Sequence, residues 1–214
     1  MTEPWLITPL LLLSYAVGTI PSGVIVGRLT RSVDVREYGS GRTGATNTWR
    51  ILGWRASAVV LLADLAKGIT AVWLARWLNE PRWLEVAAGL AAMAGHNWPF
   101  YLGWRGGRGV STAAGALTAM SPLMGLGSLL IFAVMTYFTR IASLASTLGS
   151  TLILILMATR AWLGQEQVEY VVFCGLAVLL IWIQHRDNVV RLLQGTERRL
   201  EGPKSAGVPG SGHD

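Results

Sequence analysis

The sequence predicts an all-α fold, a polytopic bundle of transmembrane helices, and three observations carry that prediction. Of its 214 residues, 52% are hydrophobic and only 14% charged, against about a quarter charged in soluble domains, and the mean hydropathy is +0.45. The apolar residues gather in blocks that approach or exceed the roughly 18–20 needed to cross a hydrocarbon core, whereas a soluble core would space them amphipathically. Ten tryptophans fit the same picture: indole prefers the headgroup layer, and Trp5, Trp54, Trp77, Trp83, Trp98 and Trp104 fall near expected helix ends.

The first block, 4–28, has Glu3 and no basic residue ahead of it and lacks an A-x-A-like exit, so it is expected to remain as a helix rather than leave as a signal peptide. Its Gly23 and Gly27 form a G-x-x-x-G step, with Gly18 nearby, which suits close helix contact. Block 56–78 contains Asp64 and Lys67 on one helical face, roughly 12–18 Å from its start at 1.5 Å per residue. Ionisable groups at that depth are costly and are usually paired or functional, and these two read as a structural ion pair orienting neighbouring helices. Blocks 85–97 and 109–120 are short. Either they tilt, insert partly or are joined by a loop that dips below the headgroups, giving seven helices in all, or they are peripheral to five spans. Blocks 122–139, 142–160 and 168–184 complete the set. The single Cys174 excludes an intrachain disulfide and a multi-cysteine metal site, and reads as a small apolar filler. Residues 1–200 are expected to form one domain, followed by a disordered tail at 201–214 in which His213 has no chemical role.

Orientation follows from the basic residues. Arg28, Arg31, Arg36, Arg42, Arg50 and Arg55, then Arg105 and Arg108, then Arg140, then the cluster from Arg186 to Lys204 fall on one set of connections, and only Arg76, Arg82 and Arg160 on the other. The richer side is expected in the cytoplasm, with the N-terminus outside and the C-terminus inside. A basic excess distributed in this way calls for no nucleic-acid partner.

Three polar clusters lie on that side. Stretch 39–50 (GSGRTGATNTWR) matches G-x-G-x-x-G, but the charged run VDVREY precedes it and no βαβ unit follows, so a dinucleotide fold is rejected. The physics of the pattern remains: glycines let N–H groups turn toward an anion, Ser40, Thr43 and Thr46 add hydroxyls, and Arg42 and Arg50 add charge. The alternative is a flexible loop whose arginines touch lipid headgroups. Stretch 95–112 (GHNWPFYLGWRGGRGVST) sets Arg105 and Arg108 among glycines just before a helix, a second phosphate cradle without the G-K-[ST] ending of a nucleotide loop. His96 there reads as a structural hydrogen-bonder. In stretch 184–197 (QHRDNVVRLLQGTE), helical spacing places His185, Asn188 and Arg191 on one side. The alternative is an ordinary basic amphipathic surface helix.

Together the three clusters resemble the bacterial glycerol-3-phosphate acyltransferase family that uses acyl phosphate as donor, the PlsY-type enzymes. GSGRTGATNTWR looks like the family's first motif, GHNWPFYLGWRGGRGVST its second and HRDNVVRLLQGTE its third, and Asp64-Leu-Ala-Lys67-Gly68 is similar to a further signature. Arg42 stands where Asn is common, and Arg105 and Arg108 where Lys is common; Arg is a planar fork and Lys a point charge. The resemblance implies transfer of a fatty acyl group from acyl phosphate to the 1-hydroxyl of glycerol 3-phosphate, the first step of phospholipid biosynthesis, in the bacterial inner membrane with the site facing the cytoplasm. It implies that Ser40, Arg50, Arg108, His185 and Asn188 bind glycerol 3-phosphate, with Ser40 and His185 in catalytic positions. Gly41, Thr43, Gly44, Thr46, Asn47, Arg105, Gly106, Gly107 and Gly109 would hold acyl phosphate, the glycines through their N–H groups. The general base is either His185 or an oxygen of the leaving phosphate.

The H-x-x-x-x-D signature of other glycerolipid acyltransferases is absent, since Tyr101 follows His96 and Val190 follows His185 at that spacing. No clustered aspartates suggest Mg²⁺, so no metal, cofactor or protein partner is expected beyond the two substrates and membrane lipid. The competing class is a transporter or scramblase for a phosphorylated metabolite. It would place polar groups near the midplane with access from both faces, where only Asp64 and Lys67 lie deep.

Overall fold

Proline sets the start of the bundle. Without an N–H, Pro21 cannot continue the helical ladder, so α1 (Pro4–Thr19) stops and α2 (Ser22–Arg31) restarts beyond it, the two running on as a 27-residue apolar span, Trp5–Arg31. The computed structural model describes residues 4–78 and 81–200; the expected tail at 201–214, with Lys204 and His213, and Glu3 lie outside the described residues. Among these every regular element is helical: α3 (Ala45–Leu52), α4 (Trp54–Trp77), α5 (Arg82–Asn97), α6 (Val110–Met120), α7 (Pro122–Thr139), α8 (Ala142–Trp162), α9 (Val168–Gln184) and α10 (Arg186–Leu193), with 3₁₀ turns at Val35–Glu37 and Phe100–Leu102.

The expected blocks reappear as helices, and α7 and α9 match to the residue. Pro122 opens α7 at its first turn, and Arg140 closes it in a left-handed conformation, φ 59°. Trp5–Arg31, α4, α7 and α8 are long and apolar enough to cross a bilayer; α9 passes that test together with α10, from which it is bent by 64°. Helix α10 carries Arg186, Asp187 and Arg191 and lies outside the apolar span. Helices α5 and α6, of 16 and 11 residues, fall short, so length and hydropathy do not carry the expected seven spans. Neither helix is peripheral. Helix α5 packs on α1, α4, α6 and α9, and α6 is buried from Thr112 to Leu117.

Small residues bring these helices together. A Cβ on Gly68 or Gly115 would run into the facing backbone at Thr112 or Leu65, so α4 and α6 cross at backbone contact. Gly18 and Gly95 do the same for α1 and α5. The G-x-x-x-G step works differently from expectation: Gly23 and Gly27 meet the carbonyls of Thr43 and Val33, so the close approach is to the loop after α2, not to a helix. Met93, Leu117, Met120, Met157, Phe173 and Cys174 fill the main core. Asp64 and Lys67 meet at 2.6 Å inside α4, with His96 Nδ1 3.7 Å from the same carboxylate oxygen. At the far end Arg76 (2.8 Å) and the Tyr170 hydroxyl (3.0 Å) both donate to the buried Glu85 carboxylate, tying α4, α5 and α9.

Candidate active site

The loop after α2 is folded by one side chain. Asn47, 2% exposed in the first turn of α3, accepts from the Ser40 N–H (2.8 Å) and donates to the carbonyls of Val35 (2.8 Å), Tyr38 (3.2 Å) and Arg42 (2.9 Å). Gly39, φ 60°, lies against the Asn47 side-chain oxygen, where a Cβ could not fit. Asp34 caps the intervening 3₁₀ turn, and the Arg36 guanidinium beside it holds its carboxyl below the usual range. The Asn47 amide is therefore committed to the loop, and the polar side chains that the loop presents to the cleft are those of Ser40, Arg42 and, from the last turn of α3, Arg50. Asn47→Ala is expected to cost about 1–3 kcal/mol of stability for the buried carbonyls it strands and to raise KM for any anionic substrate. Thermal unfolding and kinetics in detergent check the two effects.

The second loop is closed by its own backbone. Gly106 and Gly107 donate to the carbonyls of Asn97 (3.2 Å) and His96 (2.9 Å), returning the chain to the end of α5 so that Arg108 emerges just before α6. Tyr15 and Tyr101 pin the loop to α1 through Trp98 O (2.7 Å) and Thr19 O (2.6 Å). The expected cradle of N–H groups is corrected accordingly. The N–H groups of Gly106, Gly107 and Gly41 are already donated, the last to Tyr38 O at 3.0 Å, whereas those of Gly44 and Gly109 make no backbone bond among the described residues. These two stand at the N-termini of α3 and α6, where helix dipoles favour anions.

The third motif turns at the bend after α9. His185, 2% exposed, approaches the Ile181 carbonyl with Nδ1 at 2.8 Å; a carbonyl only accepts, so Nδ1 carries the proton and Nε2 is left as an acceptor. Burial and the nearby Arg108 push the imidazole down to about 4. Glu197, which sequence reasoning left without a role, organises the rest. It accepts from Asn188 Nδ2 (2.5 Å), Ser143 Oγ (2.9 Å) and Arg191 Nε (2.8 Å). Burial works to raise its carboxyl, and these hydrogen bonds outweigh burial and hold it below the ordinary range. Its signals in the sequence are its place at the end of the third motif and the two arginines that follow it, Arg198 and Arg199. Arg198 donates to Gly39 O, closing the third motif onto the first.

The three motifs meet around two connected spaces. A polar cleft of about 490 Å³ is walled by Ser40, Arg42, Arg50, Arg105, Arg108 and Asn188 among others, and an apolar groove of about 940 Å³ runs between α3, α4 and the α7–α8 hairpin. Ser40, Arg42, Arg50, Arg108, Asn188 and Glu197 line both. His185, Gly44, Thr46, Asn47 and Gly109 line the groove, and Gly41 and Arg105 the cleft, whereas Thr43, Gly106 and Gly107 reach neither wall. Buried and without partners are Arg50 Nε, Arg108 Nε and Asn188 Oδ1. Burial and neighbouring Arg42 push the Arg108 guanidinium down to about 10, still cationic at neutral pH.

A basic cleft that shares its wall with an apolar groove, in a bundle of helices apolar enough to cross a bilayer, defines the class as an integral membrane protein with an anion site beside apolar space. The family model for glycerol-3-phosphate acyltransferase matches residues 8–195. A glycerol-3-phosphate acyltransferase of Synechococcus sp. (strain CC9902) is 41% identical over 191 residues, covering 89% of this chain and 94% of its own, and that of Prochlorococcus marinus (strain NATL1A) is 38% identical over 194 residues, covering 91% and 98%. The glycerol 3-phosphate form of PlsY (YgiH), an integral membrane glycerol 3-phosphate acyltransferase, superposes with a TM-score of 0.82 at 32% identity, over 91% of this chain and 96% of that one. Its lysophosphatidic acid form gives 0.81 at 31% identity, over 91% and 95%. The chain belongs to the glycerol-3-phosphate acyltransferase family.

Proposed function

We propose that this protein transfers a fatty acyl group from acyl phosphate to the 1-hydroxyl of glycerol 3-phosphate, forming lysophosphatidic acid and inorganic phosphate. The observation that carries the reading is the set of residues shared by cleft and groove, because the bond to be made joins a polar acceptor to an apolar tail. Glycerol 3-phosphate lies in the cleft, its phosphate between Arg50 and Arg108, where bidentate guanidinium contacts suit it. Its hydroxyls face acceptors with a free lone pair, His185 Nε2 and Asn188 Oδ1. The acyl chain lies in the groove, and its phosphate reaches the N–H groups of Gly44 and Gly109. The 1-hydroxyl oxygen bonds to the acyl carbon, the carbon–oxygen bond to phosphate breaks, and the hydroxyl proton goes to an oxygen of the departing phosphate. An activated mixed anhydride needs mainly positioning and charge neutralisation, and an imidazole at about 4 is a poor base at neutral pH. The basic loops that build the cleft face the cytoplasm of a bacterial inner membrane.

Purified protein in detergent, given acyl phosphate and glycerol 3-phosphate, is expected to release phosphate without CoA or ATP. No release from a folded sample would overturn the reading, and uptake of a phosphorylated metabolite by proteoliposomes would favour transport. His185→Asn is expected to keep measurable turnover with KM for glycerol 3-phosphate raised about tenfold, the worth of one hydrogen bond to a charged or tightly held partner. Because kcat/KM reports the free enzyme and burial keeps the imidazole neutral until pH falls to about 4, the shape of the kcat/KM profile above about pH 5 should be the same with and without His185, at a lower level throughout without it. Loss of turnover with substrate binding intact would instead make His185 the base.

A further inference from the structure

Among the described residues, Arg42 is the one cation at the junction of cleft and groove that the proposed binding of glycerol 3-phosphate does not use. Its backbone is fixed as firmly as a helix: the carbonyl accepts from Asn47 (2.9 Å), and the preceding Gly41 N–H is held by Tyr38 O (3.0 Å). Its side chain is half-buried and lines both spaces. Among the described residues its side chain makes no hydrogen bond and no ion pair, a state it shares with Arg50, Arg105 and Arg108, whereas Arg36 is committed to Asp34, Arg191 to Glu197 and Arg198 to Gly39 O. The charges that face it are the exposed Asp187, beyond ion-pair distance, and the cations Arg105, Arg108 and Arg186. A partly desolvated guanidinium beside other cations is unfavourable unless an anion joins it.

The reaction supplies that anion. It brings two phosphate groups together, each carrying about −1.5 to −2 near neutral pH. Arg50 and Arg108 answer the charge of one. The second must stand where an apolar tail can leave it, at the mouth of the groove, and the residues that follow Arg42 there are Gly44, Ala45 and Thr46 at the start of α3.

Building on the acyl-phosphate reading above, we propose that Arg42 binds the phosphate of the acyl donor and neutralises it as it departs. Arg50 and Arg108 then serve the acceptor, and the site is a three-arginine arrangement in which each phosphate has its own guanidinium. The bond that breaks is acyl carbon to phosphate oxygen. The electron pair leaves on that oxygen, where Arg42 meets it, and the proton from the 1-hydroxyl ends on the same phosphate.

The test is steady-state kinetics of the full chain in detergent for Arg42→Gln and Arg42→Lys, each substrate varied at saturating levels of the other, with inorganic phosphate as a product inhibitor. Arg42→Gln is expected to raise KM for acyl phosphate or lower kcat by about tenfold or more, as for loss of a charge-assisted hydrogen bond, and to weaken inhibition by inorganic phosphate by a similar factor. KM for glycerol 3-phosphate should stay within about twofold, and Arg42→Lys should recover most of the loss. The loop is held by Asn47 and not by the Arg42 side chain, so the unfolding temperature should not fall. A rise confined to KM for glycerol 3-phosphate, or unchanged constants throughout, would overturn the proposal while leaving the acyltransferase reading standing. A folded wild-type protein that releases no phosphate would overturn both.

Discussion

Arg108→Ala is expected to lower kcat/KM for glycerol 3-phosphate by two to three orders of magnitude, from the loss of about 3–4 kcal/mol in charge-assisted contacts to phosphate, while leaving the fold intact or slightly more stable. The second half of that expectation separates function from structure. Arg108 is flanked by Arg42, Arg50 and Arg191, with Glu197 as the one opposing charge among the described residues, and its Nε is buried without a partner. It therefore contributes repulsion and desolvation cost to the empty site, and removing it relieves both. Arg108→Lys keeps the charge but loses the planar fork, and should recover all but about one order of magnitude. Kinetics with each substrate varied, beside thermal unfolding in the same detergent, distinguish this outcome from a structural role. A structural arginine would lower the unfolding temperature along with activity.

The elements that sequence alone located are those bounded by hard stops. Pro122 and Arg140 delimit α7, and a continuous apolar run ending at Gln184 delimits α9. Helix α3 was hidden because it is short and lies within a glycine-rich stretch, its apolar side reduced to Ile51 packing on Val24 and Val35. Composition read correctly that three basic, glycine-containing clusters converge on one end. What it did not show is the direction in which each group points. Asn47 looks like a phosphate ligand by residue type, yet its amide faces three carbonyls. Gly106 and Gly107 look like a nest, yet their N–H groups turn back to α5. Glu197 looks like an incidental acid until the bend after α9 carries Asn188 and Arg191 to it, and α8 brings Ser143. Each of these depends on backbone register between segments distant in sequence, which residue types do not encode.

The buried pair in α4 gives the largest expected effect on stability. Asp64 and Lys67 are 1% and 4% exposed, one turn apart in a span surrounded by apolar helices. Removing one partner of a buried pair leaves a bare charge and costs about 3–5 kcal/mol. Asp64→Ala should approach that figure, because Lys67 Nζ has no other acceptor among the described residues. Lys67→Met should cost a similar amount, because His96 Nδ1 at 3.7 Å is beyond hydrogen-bond distance and Asp64 Oδ2 has no partner among the described residues. Removing both charges together, as Asp64→Ala with Lys67→Met, should recover much of the loss, so that the double variant is destabilised by less than the two single effects summed. Thermal unfolding of the four proteins in one detergent measures that difference. Activity should follow stability closely at this position. Gly68, next to Lys67, rests against the Thr112 carbonyl at the start of α6, and Arg108 leads into that same helix. A strained Asp64 turn therefore displaces the helix N-terminus that positions the arginine, and kcat/KM should recover in the double variant together with the unfolding temperature.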